Sequence, residues 1–253
     1  MTGDFRRAGD TAPHGLGEPL CHTQVVTSQA AAVLERELYS EPEAARLLGL
    51  PPSTLHYWLQ GGERNGVTYR PIIRPEPIER RSVTWAEFIE AGWLSEYRRG
   101  QRIPMVELRR FIANLRDELG TPYPLAHRRP LVSGKRLVLQ AQEEAGLGPD
   151  FRLVYTTQDG QLMLSPPGYS FAQRVKWSGD IAHGWRPHDD RRSPVRVSPH
   201  VRFGRPAVGG VSTLAIFEEA EAGASHRELA DDFDLTVKQV RWALAYENSR
   251  HAA

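Results

Sequence analysis

A run of short polar and planar side chains between residues 53 and 60 is the part of this sequence best suited to binding chemistry. Leu55, Trp58 and Leu59 in the same run are apolar and fall on the inner side of a helix, which leaves the polar residues facing outward. Hydroxyl, imidazole, phenol and amide groups of this kind suit base edges and phosphates in a DNA major groove. The predicted contacts are Ser53, Thr54, His56, Tyr57 and Gln60.

Arginines follow this helix closely along the chain. Residues 67–73 are predicted to form a strand, with 80–84 as a candidate partner strand, so these arginines would lie on and around a two-stranded ribbon. In a winged helix the ribbon straddles the DNA backbone, and arginine beside an aromatic such as Tyr69 favours phosphate and minor-groove contact. A solvated hairpin is the alternative. The arginines predicted to contact DNA are Arg64, Arg70 and Arg74, with Arg80 and Arg81 close by.

Two short helices are predicted to position these side chains. Residues 40–43 have the pattern of a capped helix start, because a serine is followed three positions later by a glutamate, with a proline in the first turn. A helix-turn-helix needs a small residue where its helices cross, and Ala45 supplies it. It also needs a residue that tolerates a left-handed backbone four positions later, and Gly49 is there. We predict a DNA-binding helix-turn-helix; a generic helical hairpin is the alternative.

The pattern of elements predicts an α+β protein. The middle of the chain is predicted to be irregular and β-containing, with strands at 136–140 and 152–157 and a hairpin turn at Asp159-Gly160. The predicted segments are a disordered or extended N-terminal arm (1–37), a winged helix-turn-helix (38–124), a β-rich linking region (125–200) and a three-helix domain (201–253).

The last fifty residues repeat the helix-turn-helix pattern. Ala230 takes the place of Ala45, and Asp234 takes the place of Gly49. The surface of this copy is acidic, and acidic side chains repel phosphate, so we expect it to bind protein rather than DNA. Lys238 and Arg241 keep DNA binding open as the lesser alternative. Three helices are predicted here, at 212–222, 225–232 and 236–248.

Charge is distributed unevenly along the chain, although the formal net charge is only +1. Residues 64–129 hold 13 arginines and 8 acidic residues, a net charge of +5. Residues 135–205 carry a net charge of +4, and residues 211–248 a net charge of −5. A basic body joined to an acidic end indicates that the two ends meet different partners, unless the charges are ordinary solvated surface.

Several classes of protein lack support in the sequence. It contains no Walker loop, no dinucleotide-binding glycine motif and no zinc-protease motif, and its histidines lack the spacing of a zinc site. We therefore expect no catalytic residues, no metal and no cofactor. Cys21 is the single cysteine, no apolar run is long enough to cross a membrane, and no signal peptide is evident. The expected location is the cytoplasm.

Residues 39–50 (YSEPEAARLLGL) and 53–59 (STLHYWL) resemble the N-terminal winged helix-turn-helix of MerR-type regulators. Those regulators continue into a long dimer coiled coil. The helices predicted to follow here are short, so MerR-style effector sensing does not carry over.

Residues near the C-terminus resemble a small antitoxin domain known as domain of unknown function four hundred and thirty-three. The likeness lies in residues 203–211, 221–224 and 229–236, with Val240, Ala243, Leu244 and Tyr246. Together with the MerR-like start, this end resembles a large VapB-type antitoxin. That resemblance implies a protein that represses its own operon by binding double-stranded operator DNA and neutralises a PIN-domain ribonuclease toxin.

Two further expectations concern partners. A PIN nuclease site is rich in carboxylates, so antitoxin arginines would neutralise it by charge-assisted pairing. A short helix-turn-helix also implies a homodimer on paired half-sites. The alternatives are a stand-alone transcriptional regulator and an enzyme hidden in residues 125–200. The arginines proposed for toxin binding, against the alternative of a plain solvated loop, are Arg186, Arg191, Arg192 and Arg196.

Overall fold

The computed structural model of the protein describes residues 32–99, 103–131, 134–188 and 190–251. Most of the predicted N-terminal arm, with Cys21, lies outside the described residues. The described helices are α1 (Glu41–Leu48), α2 (Pro52–Gln60), α3 (Trp85–Arg99), α4 (Met105–Leu119), α5 (Lys135–Glu144), α6 (Pro166–Arg174), α7 (Thr213–Glu221), α8 (His226–Asp232) and α9 (Val237–His251). The described strands are β1 (Glu37–Ser40), β2 (Gly62–Arg64), β3 (Val67–Tyr69), β4 (Ser82–Thr84), β5 (Val154–Thr156), β6 (Leu162–Leu164), β7 (Val175–Ser178), β8 (Ile181–Trp185), β9 (Ala207–Val208) and β10 (Val211–Ser212).

The strands form small antiparallel pairs among the helices. The pairs are β1 with β4, β2 with β3, β5 with β6, β7 with β8, and β9 with β10. Helices and antiparallel pairs together agree with the predicted α+β class.

Helices α1 and α2 lie where the sequence places them. The Ser40 hydroxyl accepts a hydrogen bond from the Glu43 amide at 3.3 Å, which caps the start of α1. Gly49 ends that helix with φ 64°, in the left-handed region. The Leu50 amide then donates to the Ala45 carbonyl at 2.8 Å, which closes the turn before α2.

The predicted ribbon is wrong in its pairing. Strand β3 pairs with β2, and the partner predicted for it, β4, pairs instead with β1 in front of the first helix. The turn between β2 and β3 is Asn65-Gly66, whose φ values of 53° and 74° fit a two-residue type I′ turn. Beyond β3, Ile72 and Ile73 leave the hairpin and are buried in the core. The hairpin β2–β3 is therefore short and directly follows α2.

The middle of the chain is more helical than predicted. Residues 136–140, predicted to be a strand, lie in α5, because Val138 and Ala141 share the buried face of a helix. The buried Gln142 side chain accepts hydrogen bonds from the amides of Leu153 and Val154 at 2.7 and 2.9 Å. The hairpin predicted around Asp159-Gly160 is confirmed as β5–β6.

One hydrophobic core extends from residue 34 to residue 197 and includes large side chains of both the first domain and the middle of the chain. The Trp85 indole, at the start of α3, donates to the Ala182 carbonyl at 2.6 Å. Phe171 of α6 packs against Trp93 of α3, with ring centroids 4.6 Å apart. Most buried apolar residues described between Leu125 and Val197 therefore pack in the same core as α1–α4, whereas Val195 belongs to the C-terminal cluster.

The C-terminal helices lie at the predicted positions and form a second hydrophobic cluster. Asp234, between α8 and α9, has a positive φ of 52°, and Gly49, between α1 and α2, has a positive φ of 64°. The Leu235 amide donates to the Ala230 carbonyl at 2.8 Å, the same bond that joins Leu50 to Ala45. The two turns therefore share one backbone arrangement.

Candidate nucleic-acid interface

The outer face of α2 presents polar side chains, as its sequence predicts. Ser53 is exposed, and Thr54, His56 and Tyr57 are partly exposed. On the inner face, Leu55, Trp58 and Leu59 are buried. The helix thus offers its N-terminal polar residues to solvent while its apolar residues fix it on the core.

Tyr57 is the centre of an aromatic–arginine cluster, which consists of Tyr57, Arg64, Tyr69 and Arg109. The Arg64 guanidinium lies 4.0 Å from the centroid of the Tyr57 ring. The Tyr57 and Tyr69 rings meet edge to face at 6.5 Å. The Arg109 guanidinium lies 5.1 Å from the Tyr57 centroid and 5.5 Å from that of Tyr69. Cation–π contact therefore joins α2, the β2–β3 hairpin and α4.

Arg109 is not among the residues predicted from the sequence to contact DNA. It lies on α4, far along the chain from the hairpin, and the helical period of that segment predicts only which apolar residues face the core. All three of its guanidinium nitrogens are buried and have no hydrogen-bond partner among the described residues. A buried guanidinium without an anionic partner is unfavourable, so this is a position where an anion would be stabilised.

Two predicted contacts on α2 are engaged within the protein. The Gln60 amide donates to the Ile78 carbonyl at 2.8 Å and accepts from the Ile78 amide at 3.1 Å. It anchors the 75–80 loop, and its role at a base edge stays a prediction. The His56 imidazole lies 2.7 Å from a carboxylate oxygen of Glu41 and keeps about 45% of its side chain exposed. His56 therefore stays available at the surface.

Arg74 is not a surface arginine, and its prediction as a DNA contact is corrected. Its side chain is 1% exposed and donates to both carboxylate oxygens of Glu87, at 2.7 and 3.2 Å. Burial raises the pKa of Glu87. Hydrogen bonds from Arg74 and from the Thr84 amide outweigh that effect and leave the pKa below its ordinary value. Arg74 thus fixes the segment between the hairpin and α3.

Arg64 in β2 and Arg70 just after β3 are exposed, and so is Arg81, which precedes β4 and lines a surface depression with Ser53 and His56. With the aromatic–arginine cluster and Ser53, these residues form one candidate interface. Its positive charge and exposed hydrogen-bonding groups are the properties that nucleic acids select.

The arginines predicted to bind a toxin divide into two groups. Arg186 is 8% exposed and donates to the His188 carbonyl at 2.9 Å, so it is buried and not at the surface of the loop. Arg192 is 80% exposed and forms an ion pair with Asp190 at 2.7 Å. The hydrogen bond from Arg192 lowers the pKa of Asp190 to about 2. Arg191 and Arg196 are also exposed, so three of the four arginines lie at the surface.

The described residues contain no group of three or more histidine, cysteine, aspartate and glutamate side chains arranged to hold a metal ion. His183 and His200 stack with ring centroids 4.7 Å apart. Within the same residues, no helix combines the length and apolar character that a membrane span requires.

No family model matches the chain, so the resemblances to the MerR-type domain and to domain of unknown function four hundred and thirty-three stay predictions. The putative antitoxin VapB45 of Mycobacterium tuberculosis (strain ATCC 25618 / H37Rv) is 28% identical over 222 residues, which cover 82% of this chain and 92% of that protein. This similarity supports the predicted relationship to VapB-type antitoxins.

Similarity to two further proteins of Mycobacterium tuberculosis extends over most of the chain. The crystal structure of Rv2018 superposes with a TM-score of 0.68 and 25% identity, and covers 83% of this chain and 99% of that one. The uncharacterized protein Rv2308 of strain ATCC 25618 / H37Rv is 33% identical over 229 residues, which cover 85% of this chain and 92% of that protein. The chain therefore belongs to the same family as Rv2308.

Proposed function

We propose that this protein is the antitoxin of a type II toxin–antitoxin pair, which represses its own operon and neutralises a PIN-domain ribonuclease in the cytoplasm. Its similarity to a protein named as a putative VapB antitoxin supports the pairing with a toxin. The observation that carries the DNA-binding part of the proposal is the aromatic–arginine cluster at the junction of α2 and the β2–β3 hairpin.

In the proposed complex, α1 and α2 act as a helix-turn-helix and α2 lies in the major groove. Ser53 and Thr54 are at the N-terminal end of α2, the end that contacts base edges in such motifs. The β2–β3 hairpin acts as the wing and places Arg64 and Arg70 along the sugar–phosphate backbone. Two copies of the chain on paired half-sites complete the complex as a homodimer.

Arg109 gives the proposed interface a fixed positive charge. Its guanidinium is held against two tyrosine rings and lacks a hydrogen-bond partner among the described residues. A small shift of Tyr57 on contact with DNA would let a phosphate oxygen accept its hydrogen bonds.

Promoter binding tests this part of the proposal. Fluorescence anisotropy with a labelled fragment from upstream of the gene should show saturable binding that exceeds binding to a scrambled fragment. Replacement of Tyr57 by alanine should weaken it at least tenfold. Arg136→Ala, an exposed arginine on α5, is the matched control and should leave it unchanged. Equal affinity for the two fragments in the native protein would contradict operator recognition.

Toxin neutralisation is assigned to the exposed arginine loop, which consists of Arg191, Arg192 and Arg196. Arg191 and Arg192 are exposed, where they can pair with carboxylates of a nuclease metal site. The Arg196 guanidinium also donates to the carbonyls of Ser193 and Val195. The double variant Arg191→Ala, Arg192→Ala should lose inhibition of the partner ribonuclease while it keeps promoter binding. Full inhibition by this variant would remove the loop from the toxin interface.

A further inference from the structure

A cavity of about 570 Å³ lies behind the α1–α2 turn. The turn, from Arg46 to Pro51, forms one wall, and Ser95 and Glu96 of α3 line the cavity from the first core. The end of α9, with Tyr246 and Arg250, forms the opposite wall. The cavity thus lies where the first hydrophobic core meets the C-terminal helices.

The charged side chains around this cavity are mostly cationic. Arg46, Arg174 and Arg250 line it, against the single carboxylate of Glu96. Glu96 pairs with Arg174 at 2.9 Å, so the charge of that pair is already balanced. Arg250 is oriented by the Tyr246 hydroxyl, to which it donates at 2.7 Å. With that pair balanced, Arg46 and Arg250 give the lining of this open cavity an excess of positive charge.

The rest of the lining is apolar or offers hydrogen-bond donors. Leu47, Leu50 and the ring of Trp185 supply apolar surface. The Ser95 hydroxyl and the Trp185 indole nitrogen are buried and have no hydrogen-bond partner among the described residues. Buried polar groups are normally paired, so these two donors are positions that a bound molecule would satisfy.

We propose that this cavity binds a small organic anion with an apolar ring or chain, such as an aromatic carboxylate. Its volume is within the usual range of small-molecule sites, and it combines apolar walls with a few convergent polar groups, as such sites do. The anionic group would lie between Arg46 and Arg250. The apolar body would lie against Leu47, Leu50 and Trp185.

Such a ligand would contact both the turn before α2 and the last helix of the chain. It would stabilise one placement of the C-terminal helices against the first core, and so change the affinity of α2 for DNA. This second consequence rests on the proposed function, whereas binding of the anion itself does not.

The full chain can be titrated with 8-anilinonaphthalene-1-sulfonate, an aromatic anion that fluoresces in apolar sites. We expect saturable binding of one molecule per chain, displaced by benzoate. The double variant Arg46→Gln, Arg250→Gln should weaken binding at least tenfold, and Arg136→Gln should not. Ser249→Trp, at an exposed position on the rim, should obstruct the cavity with its charges intact and also weaken binding.

Folding of each variant is checked by circular dichroism and by a cooperative thermal transition. Unchanged probe affinity in both the arginine double variant and Ser249→Trp would overturn the proposal, because the probe would then lie elsewhere. Failure of promoter binding in the native protein would leave this result unaffected, so the two proposals fail separately.

Discussion

The guanidinium of Arg74 and the carboxylate of Glu87 form a two-point ion pair inside the first core, with Nε 2.7 Å from Oε1 and Nη2 3.2 Å from Oε2. Neither side chain is more than 1% exposed. The same Nη2 atom also donates to the Ser82 carbonyl at 2.7 Å. The pair therefore joins three stretches of chain: the segment after the hairpin, β4 and α3.

Removal of one partner of this pair should destabilise the fold rather than the interface with DNA. Arg74→Met leaves the Glu87 charge buried with fewer partners, and we expect the free energy of unfolding to fall by about 3 kcal/mol. Arg70→Met, at an exposed arginine four residues earlier, should change it by less than about 0.5 kcal/mol. Urea denaturation followed by tryptophan fluorescence measures both. Equal unfolding midpoints for the two variants would show that the pair does not stabilise the fold.

Because Gly49 and Asp234 both have a left-handed backbone, the same substitution should destabilise the protein to a similar extent at each position. A β-branched residue is strained at positive φ, so Gly49→Val and Asp234→Val should each destabilise the protein by about 1–2 kcal/mol. Asp234→Asn should be close to neutral, because asparagine tolerates this conformation. Lys238→Val, in the regular part of α9, serves as the control and should cost well under about 1 kcal/mol. Thermal unfolding of the four variants decides whether the two turns are equivalent.

The raised pKa of the buried Glu90 carboxyl predicts that the stability of the protein depends on pH. Burial raises its pKa from 4.5 to about 7, against the attraction of Arg116 and a hydrogen bond from the Leu125 amide. Between pH 4.5 and pH 7 the Glu90 carboxyl keeps its proton in the folded protein and has lost it in the unfolded chain. This contribution to stability is complete below pH 4.5 and is lost as the pH rises to 7. The loss is at most about 3 kcal/mol.

The variant Glu90→Gln should show a flatter stability profile between pH 5 and 7.5 than the native protein. The amide keeps an acceptor for the Leu125 amide but cannot ionise. Glu76→Gln, at an exposed glutamate, should follow the native curve. Native and Glu90→Gln profiles that stay parallel across this range would refute the assignment.

The exposed arginines of the hairpin predict a change in salt dependence. Each phosphate contact contributes about −0.9 to the slope of log K against log salt concentration. Arg64→Ala and Arg70→Ala should therefore each reduce the steepness of this slope by about 0.9 and weaken binding to all sequences alike, whereas Arg136→Ala should not change it. Anisotropy titrations of one promoter fragment at four salt concentrations give the slopes. Native-like slopes in both hairpin variants would exclude these arginines from phosphate contact.

Local signals in the sequence are sufficient to predict α1 and α2 and the three C-terminal helices, α7 to α9. The Ser40 cap and Gly49 mark the limits of α1, and the same spacing at Ala230 and Asp234 gives the C-terminal turn. These features depend on residues a few positions apart, so a single sequence contains the information that they need.

Two predictions are wrong where residues that favour strands lie in a short run. Residues 67–73 are rich in residues that favour strands, which concealed the Asn65-Gly66 turn and with it the pairing of β2 and β3. Residues 136–140 contain the run Leu-Val-Leu, which a short strand and a buried helix face share. Periodicity over so few residues cannot separate the two.

The remaining differences depend on contacts between distant parts of the chain. The sequence around Arg70 and Arg74 does not show which arginine is buried. In the structure Arg74 is buried in an ion pair with Glu87, whereas Arg70 is exposed. Arg109 reaches the hairpin from α4, and the cavity behind the α1–α2 turn is closed by α9. Neither local propensity nor spacing contains these relationships.

Co-expression with the product of the neighbouring gene tests whether this protein is an antitoxin. The chain is purified on a tag, and the ribonuclease activity of the co-purified partner is measured in the complex and after the partner is released from it. We expect a stable complex in which ribonuclease activity is suppressed and returns on release. A chain that binds its promoter but recovers no partner and suppresses no ribonuclease would contradict the antitoxin function and indicate a stand-alone regulator.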